Sequence, residues 1–330
     1  MTGGAGFIGA NFVHHLFHAH AAVDAASCCP EHARYPSAAS GELQILNLDK
    51  LTYAGDERKL RGVAQAKGYL FLQADICDHA SVDKAIADFE PEAIVHFAAE
   101  SHVDRSIEAG DVFVQTNVLG TQVLLDAARR HDVPKFIHVS TDEVYGSIRE
   151  GSFSEGDRLH PASPYSASKA GSDLLALAHH TTYGLPVLVT RCTNNYGPRQ
   201  HPEKLLPKVV TLALRDEALP IYGNGMNVRD WLFVKDHCAA LDLLLHEGRP
   251  GEVYNVSAQD ERPNLEVVRR VLKELGKPES LITFVTDRPG HDWRYSLNDS
   301  KLRKLGWAPR MPFDEGLRLT IGSIRQEATA

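Results

Sequence analysis

Short apolar stretches of strand length alternate with segments of helical periodicity along the first two thirds of the chain. The strand-length stretches are 43–49, 69–76, 93–100, 135–145 and 186–196, and helical patterns cover 81–89, 111–130 and 165–183. Nearly continuous apolar strands separated by helices indicate a parallel sheet that is covered by helices on both faces. The predicted fold class is therefore α/β, a Rossmann-type doubly wound parallel sheet.

Prolines interrupt this alternation after residue 196. Pro198, Pro202, Pro207 and Pro220 fall close together, and a shorter mixed pattern follows them. We interpret this second part as a smaller, mixed α/β C-terminal lobe. A segment at about 223–250 is predicted to return to the large sheet.

The composition excludes several classes of protein. The 330 residues carry a formal net charge of −8 with no basic cluster, which argues against a nucleic acid polymer as a partner. No apolar run reaches the ~18 residues that a membrane span requires. The five cysteines include no Cys-x-x-Cys pair, which is typical of a reducing compartment. A cytoplasmic location is the expectation.

Two features of the first fifty residues are irregular. Only Met1 and Thr2 precede the glycine-rich segment, so the first strand of a dinucleotide fold is expected to be missing from this numbering. A misplaced start or an incomplete record is the expected reason, because a sheet without its central strand leaves two neighbours unpaired. Residues 20–41 are rich in Ala, Ser, Cys and Pro and are predicted to be an inserted surface loop.

The segment GGAGFIG contains Gly3, Gly6 and Gly9 and leads into an amphipathic helical stretch. Glycines at such positions let the backbone turn tightly and approach a pyrophosphate at the helix N-terminus. Asp49 ends the next apolar strand, where a carboxylate binds the adenosine ribose and repels a 2′-phosphate, so NAD is favoured over NADP. The alternative for Asp49 is a turn residue before Lys50. Asp75, at the end of the following strand, is expected on the adenine side.

Tyr165 and Lys169 form a Tyr-x-x-x-Lys pair on a predicted helix, which puts both on one face a turn apart. A free tyrosine ionises near pH ~10. The lysine ammonium together with an oxidised nicotinamide would favour the phenolate, which then acts as a base. For this spacing alone, a surface Tyr–Lys pair would be the commoner case.

Thr141, Asp142 and Glu143 close the strand in FIHVSTDEVYG. Open α/β sheets bind ligands at this carboxyl edge. Three polar groups in a row can be a cap turn, but two adjacent acids followed by Val-Tyr fit paired acid–base chemistry better.

The segments GGAGFIG, HFAAESHVDRS, STDEVYG, SPYSASK and NNYGPRQHPEKLLP, with Asp49, together resemble the extended short-chain dehydrogenase/reductase family, and within it the dTDP-glucose 4,6-dehydratases. The resemblance runs from Met1 to about Arg318. The Thr-Asp-Glu triplet distinguishes this group, because related nucleotide-sugar 4-epimerases carry small hydroxyl residues or Ala there and GDP-mannose dehydratases resemble Thr-Ser-Glu.

The resemblance implies a reaction cycle for dTDP-glucose. Tyr165 takes the C4 hydroxyl proton while hydride goes to NAD, and Thr141 holds that hydroxyl. Glu143 removes the C5 proton and Asp142 protonates the departing C6 hydroxyl. Hydride then returns to C6, which yields the 4-keto-6-deoxy sugar plus water and regenerates NAD.

The resemblance also implies binding residues and an assembly. The implied NAD-binding residues are Gly3, Gly6, Phe7, Ile8, Gly9, Asp49, Lys50, Thr52, Asp75, Ile76, Phe97, Ala98, Ala99, Ser101, Thr116, Tyr165, Lys169 and Asn195. The implied substrate-binding residues are Ser101, Thr141, Asn194, Lys204, Leu205, Pro220, Tyr222, Arg229, Asn264, Arg288 and His291. A homodimer is expected, through a four-helix bundle built from 111–130 and 165–183.

These assignments divide the chain by function. Residues 1–196, with the return of about 223–250, are the predicted NAD-binding Rossmann domain. Residues 197–222 and 251–330 are the predicted sugar-nucleotide-binding lobe.

For Arg229, which suits a diphosphate, the alternative is a surface ion pair with Asp230.

Other functions stay open at this point. A nucleotide-sugar 4-epimerase, a decarboxylase or a UDP-sugar dehydratase would share most of these motifs, and a regulatory protein could bind NAD without turnover. The choice between dTDP and UDP and the deoxysugar pathway are also open. No metal is expected: His14, His15 and His18 have helical spacing but are predicted to form a solvated face, and Cys28 and Cys29 are predicted to be exposed thiols.

Overall fold

The computed structural model describes residues 1–24 and 43–329, with side chains described for 1–18 and 43–327. The predicted insertion at 20–41 and the thiols of Cys28 and Cys29 therefore lie largely outside the described residues. Among the helices that are described, none combines the length and the apolar character needed to cross a membrane.

A parallel sheet forms the larger part of the molecule, and the α/β doubly wound prediction is confirmed. Its strands are β1 (Ile45–Asp49), β2 (Tyr69–Gln73), β3 (Ile94–His96), β4 (Phe136–Thr141), β5 (Val187–Cys192) and β9 (Val253–Val256). They pair in the orders β1-β2 and β3-β4-β5-β9. β4 and β5 are buried along their whole length, as expected of central parallel strands.

Residues 1–3 lie between these two groups of strands. Thr2 bridges to Leu48 of β1 and to His96 of β3, both in parallel orientation. Thr2 N donates to Val95 O at 3.1 Å, and Gly3 N donates to Leu48 O at 2.9 Å. The first residues thus occupy the central position of the sheet and lead straight into the glycine-rich turn.

Helices cover both faces of this sheet. On one face α1 (Phe7–Asp24) packs with α8 (Val234–Glu247), and on the other lie α2 (His79–Phe89), α5 (Thr121–Arg130) and α6 (Pro164–Tyr183). The short helices α3 (Val103–Glu108) and α4 (Gly110–Phe113) precede a π-helical segment, Val114–Gly120, that runs into α5. The segment 111–130, predicted as one helix, is therefore helical throughout but changes its hydrogen-bond spacing along its length.

A smaller lobe is built mainly from the C-terminal half. Its strands are β6 (Asn194–Tyr196), β7 (Leu219–Tyr222), β8 (Val228–Phe233), β10 (Glu261–Pro263) and β11 (Ile282–Val285). The orders are β10-β8-β6 and β11-β7. The helices α7 (Leu205–Leu214), α9 (Asn264–Leu275), α10 (Ser300–Arg303) and α11 (Phe313–Thr329) complete the C-terminal half. The lobe's aromatic core contains Tyr196, Trp231, Phe233 and Phe313.

The return to the large sheet differs in detail from the sequence prediction. Within 223–250, α8 does pack on the large sheet, but β8 belongs to the smaller lobe. The strand that rejoins the large sheet is β9, three residues beyond the predicted segment, and it pairs with β5 from Val189↔Val253 to Cys192↔Val256. Both strands are short and apolar, so sequence pattern alone does not separate them.

The histidines of α1 correct another prediction. Rather than a solvated face, His14 is buried and shares a 2.9 Å hydrogen bond with Lys59 O. His15 pairs with Asp242 of α8 at 2.9 Å. His18 is exposed and stacks on His14. The first two are contacts between elements, since α1 is enclosed by α8 and the 57–60 turn.

Candidate active site

The glycine-rich turn lies at the carboxyl ends of β1 and β3 and opens α1. Gly3 has φ +72°, and an added Cβ would lie 2.5 Å from Ala98 N. At Gly9 a Cβ would lie 2.3 Å from Gly3 O, whereas at Gly6 the single neighbour within 4 Å is Gly3 O at 3.2 Å. Gly3 and Gly9 thus let the turn pack tightly, and at Gly6 an added Cβ would make one close contact. This cradle fits a dinucleotide pyrophosphate.

Polar residues of β1 fix the conformation of the turn. Gly4 N donates to Asn47 Oδ1 at 2.9 Å, and Ala5 N donates to Asp49 Oδ2 at the same distance. Asp49 Oδ1 also accepts from Leu51 N at 2.8 Å. Asp49 therefore orders the backbone on both sides of the predicted ribose position, a structural part that its sequence pattern did not indicate.

The other residues predicted to contact the adenine side lie together. Lys50 Nζ is 2.6 Å from Asp75 Oδ2, and Asp75 Oδ1 accepts from Cys77 N at 2.9 Å. Ile76 is buried against Gly120, where an added Cβ would lie 2.5 Å from it. Because Lys50 is well exposed, the ion pair itself adds little stability.

Thr141, Asp142 and Glu143 lie at the carboxyl end of β4, where the strand turns into a short 3₁₀ helix, Asp142–Tyr145. Thr141 caps this helix by accepting from Glu143 N at 3.3 Å, and its hydroxyl donates to Asp142 Oδ1 at 3.2 Å. Asp142 is 3% exposed, and Glu143 is half-buried. Both acids contribute to the raised pKa of Tyr165 at the start of α6, so the three groups lie close together.

The two carboxyl groups have different electrostatic surroundings. Burial, and then the neighbouring Glu143 charge, raise the pKa of Asp142 well above its ordinary value. Burial also raises the pKa of Glu143, but the nearby Arg229, Arg288 and Lys204 oppose that shift. Arg229 also opposes the shift at Asp142, so both pKa values are raised by burial and the larger set of neighbouring cations acts on Glu143.

Tyr165 and Lys169 lie at the start of α6, which begins with a capping box between Ser163 and Ser166. Burial raises the pKa of Tyr165 well above its ordinary value, and Glu143 adds to this, while a hydrogen bond with Thr141 lowers it. Lys169 Nζ donates to Val139 O at 2.8 Å. The predicted joint action of the Lys169 ammonium and an oxidised nicotinamide on the phenolate stays a prediction.

A second group of predicted residues approaches Glu143 from the smaller lobe. Lys204 Nζ donates to Ser101 O at 2.7 Å, and Arg288 Nη1 is 3.1 Å from Asp104 Oδ1. Tyr222 and His291 lie edge to face at 6.2 Å. Among the described residues, Asn194 Oδ1, Asn264 Oδ1 and Arg288 Nε are buried without a hydrogen-bond partner. Orphaned buried polar atoms of this kind indicate a polar ligand site.

Arg229 is buried beside these residues rather than at the surface. Its guanidinium donates to Val228 O at 2.7 Å and to Asp292 O at 3.0 Å, and it lies 4.3 Å from the ring centre of Tyr295. Asp230 turns away and binds Ser257 Oγ at 2.7 Å. The alternative of a surface pair between Arg229 and Asp230 is therefore wrong.

The remaining predicted residues have the following contacts and positions. Asn195 Oδ1 is bound to His237 Nδ1 at 3.0 Å, and Phe97 packs on Phe12 with ring centres 5.5 Å apart. Pro220 is on the exposed side of β7. Others lie at or near the carboxyl edge of the sheet or at the mouth of the lobe: Phe7, Ile8, Thr52, Ala98, Ala99, Thr116 and Leu205.

Sequence reasoning missed Asn117. Its side chain accepts from Glu100 N at 2.8 Å, donates to Glu100 O at 3.0 Å, and donates to Ser168 Oγ at 2.8 Å. It thereby ties the loop after β3 to α6 between the predicted cofactor and catalytic residues. A buried amide inside an otherwise apolar helical face was the signal available in the sequence.

Comparisons with known proteins agree with this geometry. Residues 37–320 match the family model described as GDP-mannose 4,6 dehydratase. The chain is 49% identical to a dTDP-glucose 4,6-dehydratase of an Actinoplanes species, over 98% of this chain and 97% of that protein. It is 47% identical to the low-salt glycan biosynthesis protein Agl12 of Haloferax volcanii, over 97% and 96%.

A solved structure gives the same result. The crystal structure of DesIV, a dTDP-glucose 4,6-dehydratase from Streptomyces venezuelae with NAD and TYD bound, superposes with a TM-score of 0.91 at 46% identity, covering 99% of this chain and 97% of that one. The resemblance inferred from the motifs is confirmed. The chain belongs to the nucleotide-sugar 4,6-dehydratases of the extended short-chain dehydrogenase/reductase family.

Proposed function

We propose that this protein is a dTDP-glucose 4,6-dehydratase that uses NAD and recycles it within each turnover. The observation that carries the proposal is the adjacent pair Asp142 and Glu143 at the end of β4, two carboxyl groups whose pKa values are both raised by burial. Loss of water across the C5–C6 bond needs an acid and a base beside that bond, whereas epimerisation at C4 needs neither group at that position.

NAD fits the residues at the carboxyl edge of the sheet. The tight glycine turn and the start of α1 suit the pyrophosphate, and Asp49 suits the adenosine ribose. When bound, the nicotinamide accepts hydride from C4 of the sugar and later returns it to C6. Everything else in the cycle is proton transfer and positioning by the chain's own residues.

Tyr165 begins the proposed cycle. It accepts the proton of the C4 hydroxyl, which Thr141 orients from the end of β4. Burial raises the pKa of Tyr165, and the positive charge of oxidised nicotinamide would lower it. Lys169 adds a second positive charge, since its pKa, lowered by burial to about 8, still leaves it protonated near neutral pH.

Glu143 and Asp142 carry out the elimination. The C4 ketone acidifies the C5 proton, and ionised Glu143 removes it. The C6 hydroxyl leaves as water with the proton held by Asp142, which gives the C5–C6 double bond. Hydride then adds to C6 and a proton to C5, so the net change is loss of one water.

The smaller lobe supplies the charges for a sugar nucleotide. Lys204, Arg229 and Arg288 are the cations around Glu143, and guanidinium groups suit a diphosphate. Asn194 and Asn264 offer buried amide oxygens to sugar or base hydrogen-bond donors. We assign the NAD-binding part to 1–192 with α8 and β9, and the sugar-nucleotide lobe to β6 and the remaining C-terminal elements.

Product analysis tests this proposal. Purified protein is incubated separately with dTDP-glucose, UDP-glucose and GDP-mannose, and the 4-keto product is followed by its alkaline absorbance and by mass. We expect conversion of dTDP-glucose with loss of one water. Faster conversion of UDP-glucose would overturn the nucleotide assignment, and a C4 epimer without water loss would overturn the dehydratase.

We also propose a homodimer through the helices flanking the site. Apolar side chains are exposed on the π-helical segment and on α6: Val114 is 56% exposed, Leu119 46% and Leu174 58%. Pairing these helices with a second copy would remove them from water as a four-helix bundle.

A further inference from the structure

Three side chains from distant parts of the sequence meet above the carboxyl edge of the sheet. The guanidinium carbon of Arg105 lies 3.7 Å from the ring centre of Tyr53, and Arg105 Nη2 is 3.3 Å from Glu203 Oε2. Tyr53 follows β1, Arg105 is in α3 after β3, and Glu203 follows β6. We call these three residues the clasp.

The position of the clasp follows from the topology. Residues 1–3 lie between β1 and β3, so the glycine-rich turn emerges between the ends of those two strands. A contact between the loop after β1 and the helix after β3 must therefore cross the space in front of that turn. This is where a dinucleotide extends along the sheet edge.

Glu203 is tied to the same region from the other side. Asn11 Nδ2 of α1 donates to Pro198 O at 3.0 Å, and Arg199 donates to Asn11 Oδ1 at 3.1 Å and to Lys59 O at 3.0 Å. The segment 198–204 is thus held against the first helix and the turn after β1. Lys204 then bonds to Ser101 O at 2.7 Å. The segment spans the groove and is anchored at both ends.

Two histidines also approach Glu203. His102 Nε2 is 3.8 Å and His201 Nδ1 is 3.5 Å from its carboxylate oxygens, and the His201 ring meets Tyr53 edge-on at 5.4 Å. Glu203 is 17% exposed, whereas Arg105 is 49% exposed. The carboxylate is the fixed centre of this group, and Arg105 is its more accessible part.

We propose that the clasp retains NAD in the enzyme throughout the reaction cycle. The inference rests on the proposed function, in which the cofactor is reduced in the first half of the cycle and oxidised in the second. Escape of the reduced cofactor between the two halves would leave the enzyme unable to reduce C6. The clasp closes the groove without touching the reacting carbons, so Tyr53, Arg105 and Glu203 are positioning residues.

The first test measures cofactor retention directly. Wild type and the variants Arg105→Ala, Glu203→Gln and Tyr53→Ala are purified, passed through a desalting column, and assayed for bound NAD after denaturation. Cation–π contacts and partly exposed ion pairs contribute little individually, so we expect NAD to dissociate about five- to tenfold faster in each variant. Tyr53→Phe keeps the ring under Arg105 and should remain closest to wild type.

The second test measures escape during turnover. With dTDP-glucose present, an added dehydrogenase and its keto acid substrate oxidise any reduced cofactor that leaves the enzyme. The clasp variants should lose activity progressively in this trap, and added NAD should restore it. Arg58→Ala is the matched control, because Arg58 is an exposed arginine in the turn after β1 that pairs locally with Asp56.

The outcomes separate the clasp from the wider proposal. Wild-type dissociation rates for NAD in Arg105→Ala and Glu203→Gln, at unchanged melting temperature, would overturn the clasp. A protein that retains NAD through the clasp but converts no sugar nucleotide would leave the clasp standing and overturn the proposed function. A general loss of fold would appear as a lower melting temperature. In that case the comparison of Tyr53→Phe with Tyr53→Ala still tests the clasp, because NAD should dissociate faster only when the ring is removed.

Discussion

Nε of Arg191 donates a 2.8 Å hydrogen bond to Oδ2 of Asp173, and both side chains are almost completely buried. Asp173 lies one helical turn beyond Lys169 on α6, and its other oxygen is 3.4 Å from His138. Asp173, whose carboxylate is held by the Arg191 guanidinium, therefore places a fixed negative charge near Lys169, the proposed catalytic lysine. This relationship bears on how the enzyme responds to pH.

Asp173→Asn should move the alkaline limb of the kcat profile to lower pH. Burial lowers the pKa of Lys169 to about 8, and the charge of Asp173 opposes this. The required ammonium is present below about pH 8 and lost above it, so removing the opposing charge should shift the limb down by roughly half to one unit.

The same substitution leaves Arg191 charged and buried, which costs roughly 3–5 kcal/mol. The double variant Asp173→Asn/Arg191→Met removes both charges and serves as the stability-matched comparison. An alkaline limb that stays in place in both variants, measured well below their melting temperatures, would show that Asp173 does not act through Lys169.

Substitutions of Tyr165 and of Glu143 should block different halves of the reaction, the oxidation and the elimination. Tyr165→Phe should slow the first half, because no phenolate remains to take the C4 proton, and little reduced cofactor should form. Glu143→Gln should allow that half and stop removal of the C5 proton, so reduced nicotinamide absorbance should accumulate with the 4-keto hexose. Each loss should be about 10²–10⁴-fold in turnover.

Asp142→Asn should resemble a milder Glu143→Gln, since water or Glu143 can protonate the leaving hydroxyl. Stopped-flow absorbance and product analysis by mass distinguish the three variants. Near-normal formation of the 6-deoxy product by Glu143→Gln would mean that the acid pair is structural, and the 4-epimerase alternative would gain.

Two glycines of the turn should respond differently to the same substitution. Gly9→Ala puts a methyl group 2.3 Å from Gly3 O, so the protein should lose stability. Gly6→Ala meets Gly3 O at 3.2 Å, and the unfolding free energy should change by about 1 kcal/mol or less. Its methyl group should nevertheless weaken NAD binding. Thermal unfolding and cofactor titration, run on both variants, separate the effects.

Cofactor choice should depend on Asp49. Wild type should bind NAD with little affinity for NADP, because a carboxylate beside a 2′-phosphate brings two anions together. Asp49→Asn should raise the ratio of NADP to NAD affinity while keeping one acceptor for Ala5 N or Leu51 N. Equal affinities in the wild-type protein, measured by titration, would remove Asp49 from the ribose position.

Leu174→Glu should convert the proposed dimer to a monomer at micromolar concentration. A charge on this exposed position of α6 would have to be buried between copies. Leu70→Glu is the control, since Leu70 is 53% exposed on the edge strand β2, away from the helices. Light scattering reports the mass of both, and an unchanged mass for Leu174→Glu would place the interface elsewhere.

Sequence pattern was sufficient to predict the parallel sheet. β4 was predicted to run to residue 145 but ends at Thr141, because Asp142–Tyr145 turn into a 3₁₀ helix capped by Thr141. Apolar residues on both sides of the acids hide that change from a count of hydrophobicity. Thr141, Asp142 and Glu143 nevertheless lie at the carboxyl edge of the sheet, as the polar residues at a strand end predicted.

The partners that buried polar residues find in distant segments could not be predicted in this way. His138 lies in the middle of an apolar strand, and nothing in the sequence indicates that it bonds to Ser172 at 3.0 Å and faces Asp173. Similarly, Arg105 and Glu203 stand in motifs that were recognised for other residues. Contacts between segments a hundred residues apart depend on the folded topology, which local periodicity does not encode.

β9 comes from beyond residue 250 yet forms the edge of the large sheet beside β5. The chain leaves this sheet after β5, builds part of the smaller lobe, returns through α8 and β9, and then leaves again. No single cut therefore separates the lobes, and a fragment ending near residue 196 would expose the edge of β5. Exchange of the smaller lobe between relatives would therefore require several junctions at once.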